Sequence, residues 1–397
     1  MAARPSVPDT ADMAGTLTMD RVRSDVEVLA RAGLDVSTFI AEVEESVGRA
    51  VPHVAACMCT VDPATRLLTS TYKFGDLYGN DARDLEWGLL EYGGVDPTAF
   101  DAMFEARRDS LGMVIETSDA LEVSPRMEQL IIPEYDYFDE ARLIARQGDL
   151  AWGGMALFRG RDDAPFSESE LAFLASLSAA YAAGLRVGLL TRFVDLGVDG
   201  VAPDPDPDSG PAVAIIDAAN RVVQVSVGAT QLLSEMTSPA NSADASGTLA
   251  ALVAGARRFQ DGTTDVLPRG RVRLPSGRWL VLHASPLSSA DGRRGDVVIT
   301  MEEARPPEIV PLVVAAFGLT ERERDVTRLV LQGSDTKEIA ATLHLSRYTV
   351  QDHLKAVFDK ADVRSRRELV SRVYFDQYAP RLGSEVAPSG WFAAAGD

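Results

Sequence analysis

The chain has 397 residues, 46% hydrophobic and 25% charged, the balance of ordinary globular protein and enough length for two or three domains with cores of their own. Its 59 acidic and 39 basic residues give a formal net charge of −20, which excludes a uniformly basic nucleic-acid binder, since a polyanion repels an acidic surface. No uninterrupted apolar run approaches the roughly 18 to 20 residues that cross a bilayer. The opening MAARPSVPDTADMAGTLT has neither a basic start nor an apolar segment, so the expectation is a cytoplasmic protein with no membrane partner.

In chain order, residues 1–19 read as a disordered N-terminus. From 20 to 190 helix and strand alternate: Phe39, Ile40, Val43 and Val47 recur at helical spacing, and ACMCTVDPATRLLTSTY predicts two strands around an Asp-Pro turn. ARLIARQGDLAWGGMALFRG predicts a second hairpin turning near Gln147 to Asp149. Ser167 with Glu170 then starts a long helix carrying Leu171, Leu174, Leu177 and Leu185. Cys57 and Cys59 are the chain's two cysteines; one residue apart in a strand, they face the same side and bridge each other poorly, as befits a reducing compartment.

Residues 191–210 read as a linker, because the stretch Pro203 to Pro211, PDPDPDSGP, is too rich in proline and acid to form a core. From 211 to 303, AVAIIDAANRVVQVS predicts two strands around a polar turn, followed by a helix at ATQLLSEM. A loop at Thr237 to Gly247 follows, and GRVRLPSGRWLVLHASPL and GDVVITMEE complete the strands. Residues 304–314 hold three prolines and read as a second linker, 315–380 as a helical domain, and 381–397 as a tail. The order of the first region, especially its hairpin followed by FSESELAFLASLSAAYAAGL, resembles a GAF domain, and 211–303 resembles a PAS-type fold. A phosphoacceptor receiver is set aside, because Asp217 lacks an acidic neighbour and the later strands come in hairpins.

Charge is unevenly distributed. Pro311 to Arg381 carries twelve basic against ten acidic residues, leaving 27 against 49 for the remainder. A mildly basic module on an acidic body is compatible with DNA binding of weak non-specific affinity. Within it, Thr320 with Glu323, Asp335 with Glu338 and Ser365 with Glu368 are capping-box signatures, and Ser346 caps one more helix. Four helices in so short a span pack through Val326, Leu329 and Val330, then Ile339 and Ala340, then Val350, Leu354 and Val357, and finally Leu369 and Val373.

The third of these helices carries the chemistry. With Val350, Leu354, Val357 and Phe358 in one stripe, Tyr348, Asp352, Lys355 and Asp359 lie opposite and Gln351 at the side. A short turn, His344 to Ser346, joins it to its predecessor, the geometry that places a recognition helix in a major groove. Gln pairs with adenine, Lys donates to guanine and Asp accepts from cytosine, so Gln351, Asp352 and Lys355 are the candidate base contacts. Lys337, Ser346, Thr349 and Lys360 are candidate phosphate partners near helix ends.

These residues stand in LTERERDV, KEIA, L-S-x-x-TV-x-x-HL and VRSRREL, and the segment resembles the LuxR-type helix-turn-helix. The resemblance implies that Gln351, Asp352 and Lys355 face bases, that Thr349 lies by phosphate, and that the last helix, with Leu369 and Val373, forms a dimer contact. Asp352 departs from the neutral or basic residue common there and is suited to rejecting some sequences. The arrangement is similar to multidomain regulators common in actinobacteria. The expected fold is therefore multidomain: α+β GAF-like and PAS-like sensor domains followed by an all-α four-helix LuxR-type helix-turn-helix domain.

No G-x-x-x-x-G-K-[ST] occurs, which excludes the ATP-binding members. The upstream half yields no catalytic constellation. FDE at Phe138 to Glu140 lacks the remainder of a cyclic-nucleotide motif, and two cysteines make no closed zinc site. His53 and His283 are lone histidines, more often satisfied or exposed than haem ligands. The expected function is a homodimeric, signal-responsive transcription regulator binding double-stranded DNA and RNA polymerase, without catalysis or cofactor. An unidentified small molecule is expected in a sensor domain, the acidic body shielding or misorienting the DNA-binding module until it binds. The alternative is a GAF-type thiol enzyme or a pure sensor whose C-terminal helices serve interaction.

Overall fold

The structure, a computed structural model, describes residues 10–191, 211–237, 245–274, 276–288 and 295–374. The chain begins with α1 (Thr10–Leu29) and α2 (Val36–Ala50). Asp35 starts α2, its carboxylate accepting from the N–H groups of Ser37 and Thr38. The helix from Thr10 corrects the expectation of disorder through residue 19: Val22 and Val26 lie one turn apart, and their burial in the first core pins α1 down.

The first sheet holds β1 (Ala55–Val61), β2 (Leu68–Gly75), β3 (Ser110–Gly112), β4 (Tyr137–Gln147) and β5 (Leu150–Gly160). It is antiparallel in the order β2-β1-β5-β4-β3, and both predicted hairpins are present. Short helices α3 (Asp84–Tyr92), α4 (Phe100–Glu105), α5 (Met113–Thr117) and α6 (Ile132–Tyr135) interrupt it, and α7 (Glu168–Leu190) follows. The predicted capping box of Ser167 and Glu170 starts α7. One sheet face, through Met58, Tyr72, Leu143 and Met155, buries against Phe39, Val43, Leu177 and Tyr181 of α2 and α7. By length and composition α7 is apolar enough to cross a membrane; here Leu174, Leu177, Tyr181 and Leu185 are buried in this core.

The second sheet repeats the same strand order with β6 (Ala212–Ile216), β7 (Val222–Val225), β8 (Arg269–Arg273), β9 (Trp279–Pro286) and β10 (Val297–Glu303), as β7-β6-β10-β9-β8. Between β7 and β8 lie α8 (Val227–Met236) and α9 (Ala245–Gln260). The expected loop at Thr237 to Gly247 is thus shorter, since helix begins at Ala245; its residues 238–244, like residues 192–210 of the expected linker at 191–210, lie outside the described residues. α9 packs on β9 with one side and on α3 and β2 with the other. Its small residues allow this: a Cβ at Gly88 would lie 2.4 Å from the Ala250 methyl. The two sheets are thereby layered on a shared helix.

Residues 304–314 correct a further expectation. They are not a linker but the start of α10 (Pro306–Ala316), with Pro306 and Pro307 in its first turn, where a missing N–H is harmless, and Ile309, Leu312 and Val313 buried. α10 packs between α7 and the C-terminal helices α11 (Glu321–Leu331), α12 (Thr336–Leu343), α13 (Arg347–Ala361) and α14 (Arg366–Tyr374). The expected end of this domain at residue 380 and the tail 381–397 lie outside the described residues.

Candidate nucleic-acid interface

Local capping sets the frame. Thr320 accepts from the Glu323 N–H while Glu323 takes the Thr320 N–H at 2.7 Å, and Asp335 with Glu338 repeats the exchange at the start of α12. Ser346 accepts from the Thr349 N–H at 3.0 Å and so starts α13. Between α12 and α13 the backbone turns at His344, in the left-handed region at φ 54°. Its N–H and that of Leu345 both return to the Ala340 carbonyl, which holds the two helices close and fixes their angle.

Val350, Leu354, Val357 and Ala361 are buried on one side of α13. Gln351, Asp352 and Lys355 are exposed on the other, as is Lys337 in the first turn of α12. The three candidate base contacts therefore share one outward face. The Ser346 and Thr349 hydroxyls lie 2.8 Å apart at the head of the helix. Lys360 is placed differently: its ammonium donates at 2.6 Å to Glu323, closing α13 onto α11 at the end remote from Ser346, so it is engaged as a strut. Burial pulls the Glu323 carboxyl up, but the Lys360 ammonium and the Thr320 N–H and hydroxyl hold it below the usual carboxylate range.

Leu369 and Val373, expected at a dimer contact, are instead buried within the chain's own core. On α14 it is Val370 that is half-buried, beside Ser371, Arg366 and Arg367 along a surface groove with Val330. The physical reason is α10, which packs on α14 and gives its apolar stripe an internal partner. Sequence reading also passed over Arg347 and gave Tyr348 no role. Both are exposed in the first turn of α13, Tyr348 at 75%, and their signal was their position just after the Ser346 cap. Arg366 donates to the Ser334 carbonyl at 2.7 Å and the Thr336 hydroxyl at 3.0 Å, bracing the turn that leads into α12.

Upstream, the cysteines are free thiols. Burial pushes both up, Cys59 to about 12 and Cys57 further, so neither is a thiolate at neutral pH. His53 is satisfied by the Val51 carbonyl at 2.8 Å and Glu44 at 3.1 Å. Asp139 accepts the N–H groups of Val114, Glu140 and Phe166, a structural role. Among the described residues no three His, Cys, Asp or Glu side chains are placed to hold a metal ion.

Residues 318–373 match the luxR family of bacterial regulatory proteins. The monoamine regulon transcriptional regulator of Klebsiella aerogenes is 31% identical over 117 residues, 28% of this chain and 49% of that one. The spore germination protein GerE of Bacillus subtilis is 42% identical over 52 residues, 13% of this chain and 70% of that one. A solved Vibrio cholera VqmA–ligand–DNA complex matches 47% of this chain and 92% of that one at 18% identity, with a TM-score of 0.23. The chain spans about half the length of the Klebsiella regulator, and the luxR-family match at residues 318–373 falls on the α11–α14 segment whose capped helices and outward α13 face are described above. With 42% identity over 70% of GerE, the chain belongs to the luxR family of bacterial regulatory proteins.

Proposed function

We propose that this chain is a sequence-specific DNA-binding transcription regulator. The carrying observation is α13: Gln351, Asp352 and Lys355 are exposed on a helix whose opposite face is buried and whose head is held by Ser346. Such a helix inserts into a major groove with its first turns on base edges, Lys337, Arg347 and Thr349 being suited to the flanking phosphates. α12 and α13 pack on α11, α14 and each other, with the sheet regions lying behind α10. That supports regulation through the orientation of two reading helices rather than through a lid over one.

The protein acts as a homodimer, because one reading helix covers too few base pairs for useful specificity. Two surface features support self-association: the groove beside half-buried Val370 on α14, and edge strand β7, where Val222, Val223 and Val225 all face solvent. The upstream regions are read as a GAF-like and a PAS-like sensor, a reading supported by their shared antiparallel strand order. Their role is to receive a small-molecule signal in the cytoplasm, and RNA polymerase is the downstream partner. The non-enzymatic reading is supported by the protonated state of Cys57 and Cys59. The test is fluorescence anisotropy of the full chain on a library of genomic fragments from its host. Selective, salt-sensitive retention of a few palindromic fragments is expected, and uniform retention of all fragments would overturn the reading.

A further inference from the structure

At one end of the first sheet, the two sheet regions and α10 meet around a single cavity. Thr60, Ser70 and Tyr72 of β1 and β2 line it together with Trp152 of β5, the end of α7, Trp279 of β9 and Leu312 of α10. Its volume is 80 Å³, about half of the roughly 150 Å³ that admits benzene, so a guest has about five non-hydrogen atoms.

Trp152 is brought there by a bulge. Ala145 and Arg146 of β4 pair with Gly153 and Ala151, which makes Trp152 the extra residue of β5. Strict alternation would set it on the face opposite Gly153 and its partner Thr60. The bulge re-aims it to their side, where it joins Leu185, Trp279 and Leu312 in the first core. The residue is 2% exposed, and its indole Nε1 has no hydrogen-bond partner. An indole N–H only donates, so what it lacks is an acceptor.

The neighbouring hydroxyls share this surplus of donors. The Thr60 hydroxyl lies 2.6 Å from that of Thr69 and 2.5 Å from that of Ser70, and Ser70 is bonded in turn to the Tyr72 phenol. Four hydroxyl hydrogens form three bonds, which leaves one for a further acceptor. Thr60 pairs with Gly153, next to Trp152, so the hydroxyls and the indole rise from adjacent strands about 5 Å apart. The charged lining residues are engaged elsewhere: Asp62 with Arg271, Asp35 as the cap of α2, and Arg273 with the Leu189 carbonyl. Two carboxylates and two guanidiniums cancel, so a charged guest would lose its hydration without compensation.

We propose that this cavity binds a small neutral molecule with an apolar body and a carbonyl oxygen, a short ketone being the simplest case. The oxygen carries two lone pairs and no hydrogen, and accepts from the Trp152 indole and from the spare hydroxyl. The carbon chain lies against Leu185, Trp279 and Leu312. The proposal rests on the sensor reading above and gives it a ligand class and a site between the two sheet regions. Leu312 belongs to α10, and Arg271 in the same lining donates to the Glu308 carbonyl in the first turn of that helix at 3.0 Å. The guest therefore touches the helix that leads into α11.

The test is a titration of the full chain, without DNA, isotope-labelled at its tryptophan indoles and followed by nuclear magnetic resonance. Each indole N–H signal is assigned by replacing the tryptophans with Phe in turn. Four probes of equal heavy-atom count are compared: butanone, 2-butanol, 2-butylammonium and propionate. Butanone is expected to move the Trp152 signal saturably in the millimolar range and to bind several-fold more tightly than 2-butanol, whose own hydrogen adds to the donor surplus. The ammonium and propionate are expected not to bind. In Trp152→Phe, followed through the Trp279 signal, butanone affinity is expected to fall by up to about tenfold; should this variant fail to fold, the wild-type probe series decides. Absence of a saturable butanone shift at Trp152, equal or tighter binding of any other probe, or unchanged butanone affinity in Trp152→Phe would overturn the site. A parallel anisotropy titration on DNA separates the two claims. Butanone binding that leaves DNA affinity unchanged keeps the site and overturns its signalling role, whereas selective DNA binding without butanone binding overturns the site alone.

Discussion

Asp62 of the first sheet region grips Arg271 of the second through two parallel bonds, Oδ1 to Nη2 at 2.6 Å and Oδ2 to Nε at 2.7 Å, with both residues buried. Arg271 also donates to the Glu308 carbonyl at 3.0 Å, and Arg269 to the Glu308 carboxylate at 2.6 Å. One guanidinium therefore ties both sheets to the first turn of α10, the helix that leads into the DNA-binding domain. Asp62→Ala leaves a buried cation uncompensated and is expected to cost about 3 to 5 kcal/mol. Urea unfolding followed by intrinsic fluorescence would measure it; a loss below about 1 kcal/mol would show that water reaches this junction and that the pair does not hold it.

The residues proposed to face DNA divide by what they can reach. Lys355 lies one turn beyond Gln351 on the exposed face of α13, whereas Lys337 stands in the first turn of α12. Lys355→Ala is expected to cost about 1 to 3 kcal/mol on the preferred operator and to relax preference at one position. Lys337→Ala is expected to weaken all sequences alike and flatten the salt slope by about one. Affinities on single-base operator variants at several salt concentrations check both. An unchanged preference profile in Lys355→Ala would remove α13 from the bases.

Glu323 links the head of α11 to the end of α13 through Thr320 and Lys360. Burial is the largest single influence and raises its carboxyl, but the Lys360 ammonium and the Thr320 N–H and hydroxyl together outweigh it, and the folded value lies below the ordinary 4.5. Stability from this group is therefore fully present above about pH 4.5 and lost as pH falls through the folded value. Glu323→Gln is expected to cost about 1 to 2 kcal/mol at neutral pH and to lessen the acid sensitivity of the helical domain. Circular dichroism melts between pH 3 and pH 7 would show the wild-type and variant curves converging at the acid end; parallel curves would contradict the assignment.

Strand β7 is an edge strand with Val223 48% exposed. Under the dimer reading, Val223→Lys places charge on an edge that would pair with a second copy. Sedimentation velocity is expected to show a weaker dimer with unchanged melting temperature. An unaltered dimer would move the contact to the Val370 side of α14.

The C-terminal domain was legible because its signals are local. A cap acceptor and a Glu three residues on act within one helical turn, so Thr320, Asp335 and Ser346 marked their helices without knowledge of the rest of the chain. The hairpins at β1–β2 and β4–β5 were equally local. The same reasoning sent Leu369 and Val373 to an outside partner, because nothing in α14 shows that α10 covers it, and it read prolines at 304–314 as a break when two of them sit in the first turn of a helix. It gave Lys360 to phosphate because a partner 37 residues away leaves no mark in the pattern.

The buried charges of the first sheet were the least visible feature. Lys73, Glu140 and Arg142 lie in strands, where alternation of polar with apolar residues ordinarily means that the polar side faces water. Only packing of α3, and of α9 from a region more than a hundred residues further on, turns that side into an interior. Residue type and spacing thus determined which segments become helices or strands and which helix is proposed to read DNA. Burial decided which charged side chains meet one another, because that depends on what the second sheet region lays over the first, and local pattern carries no information about distant coverage.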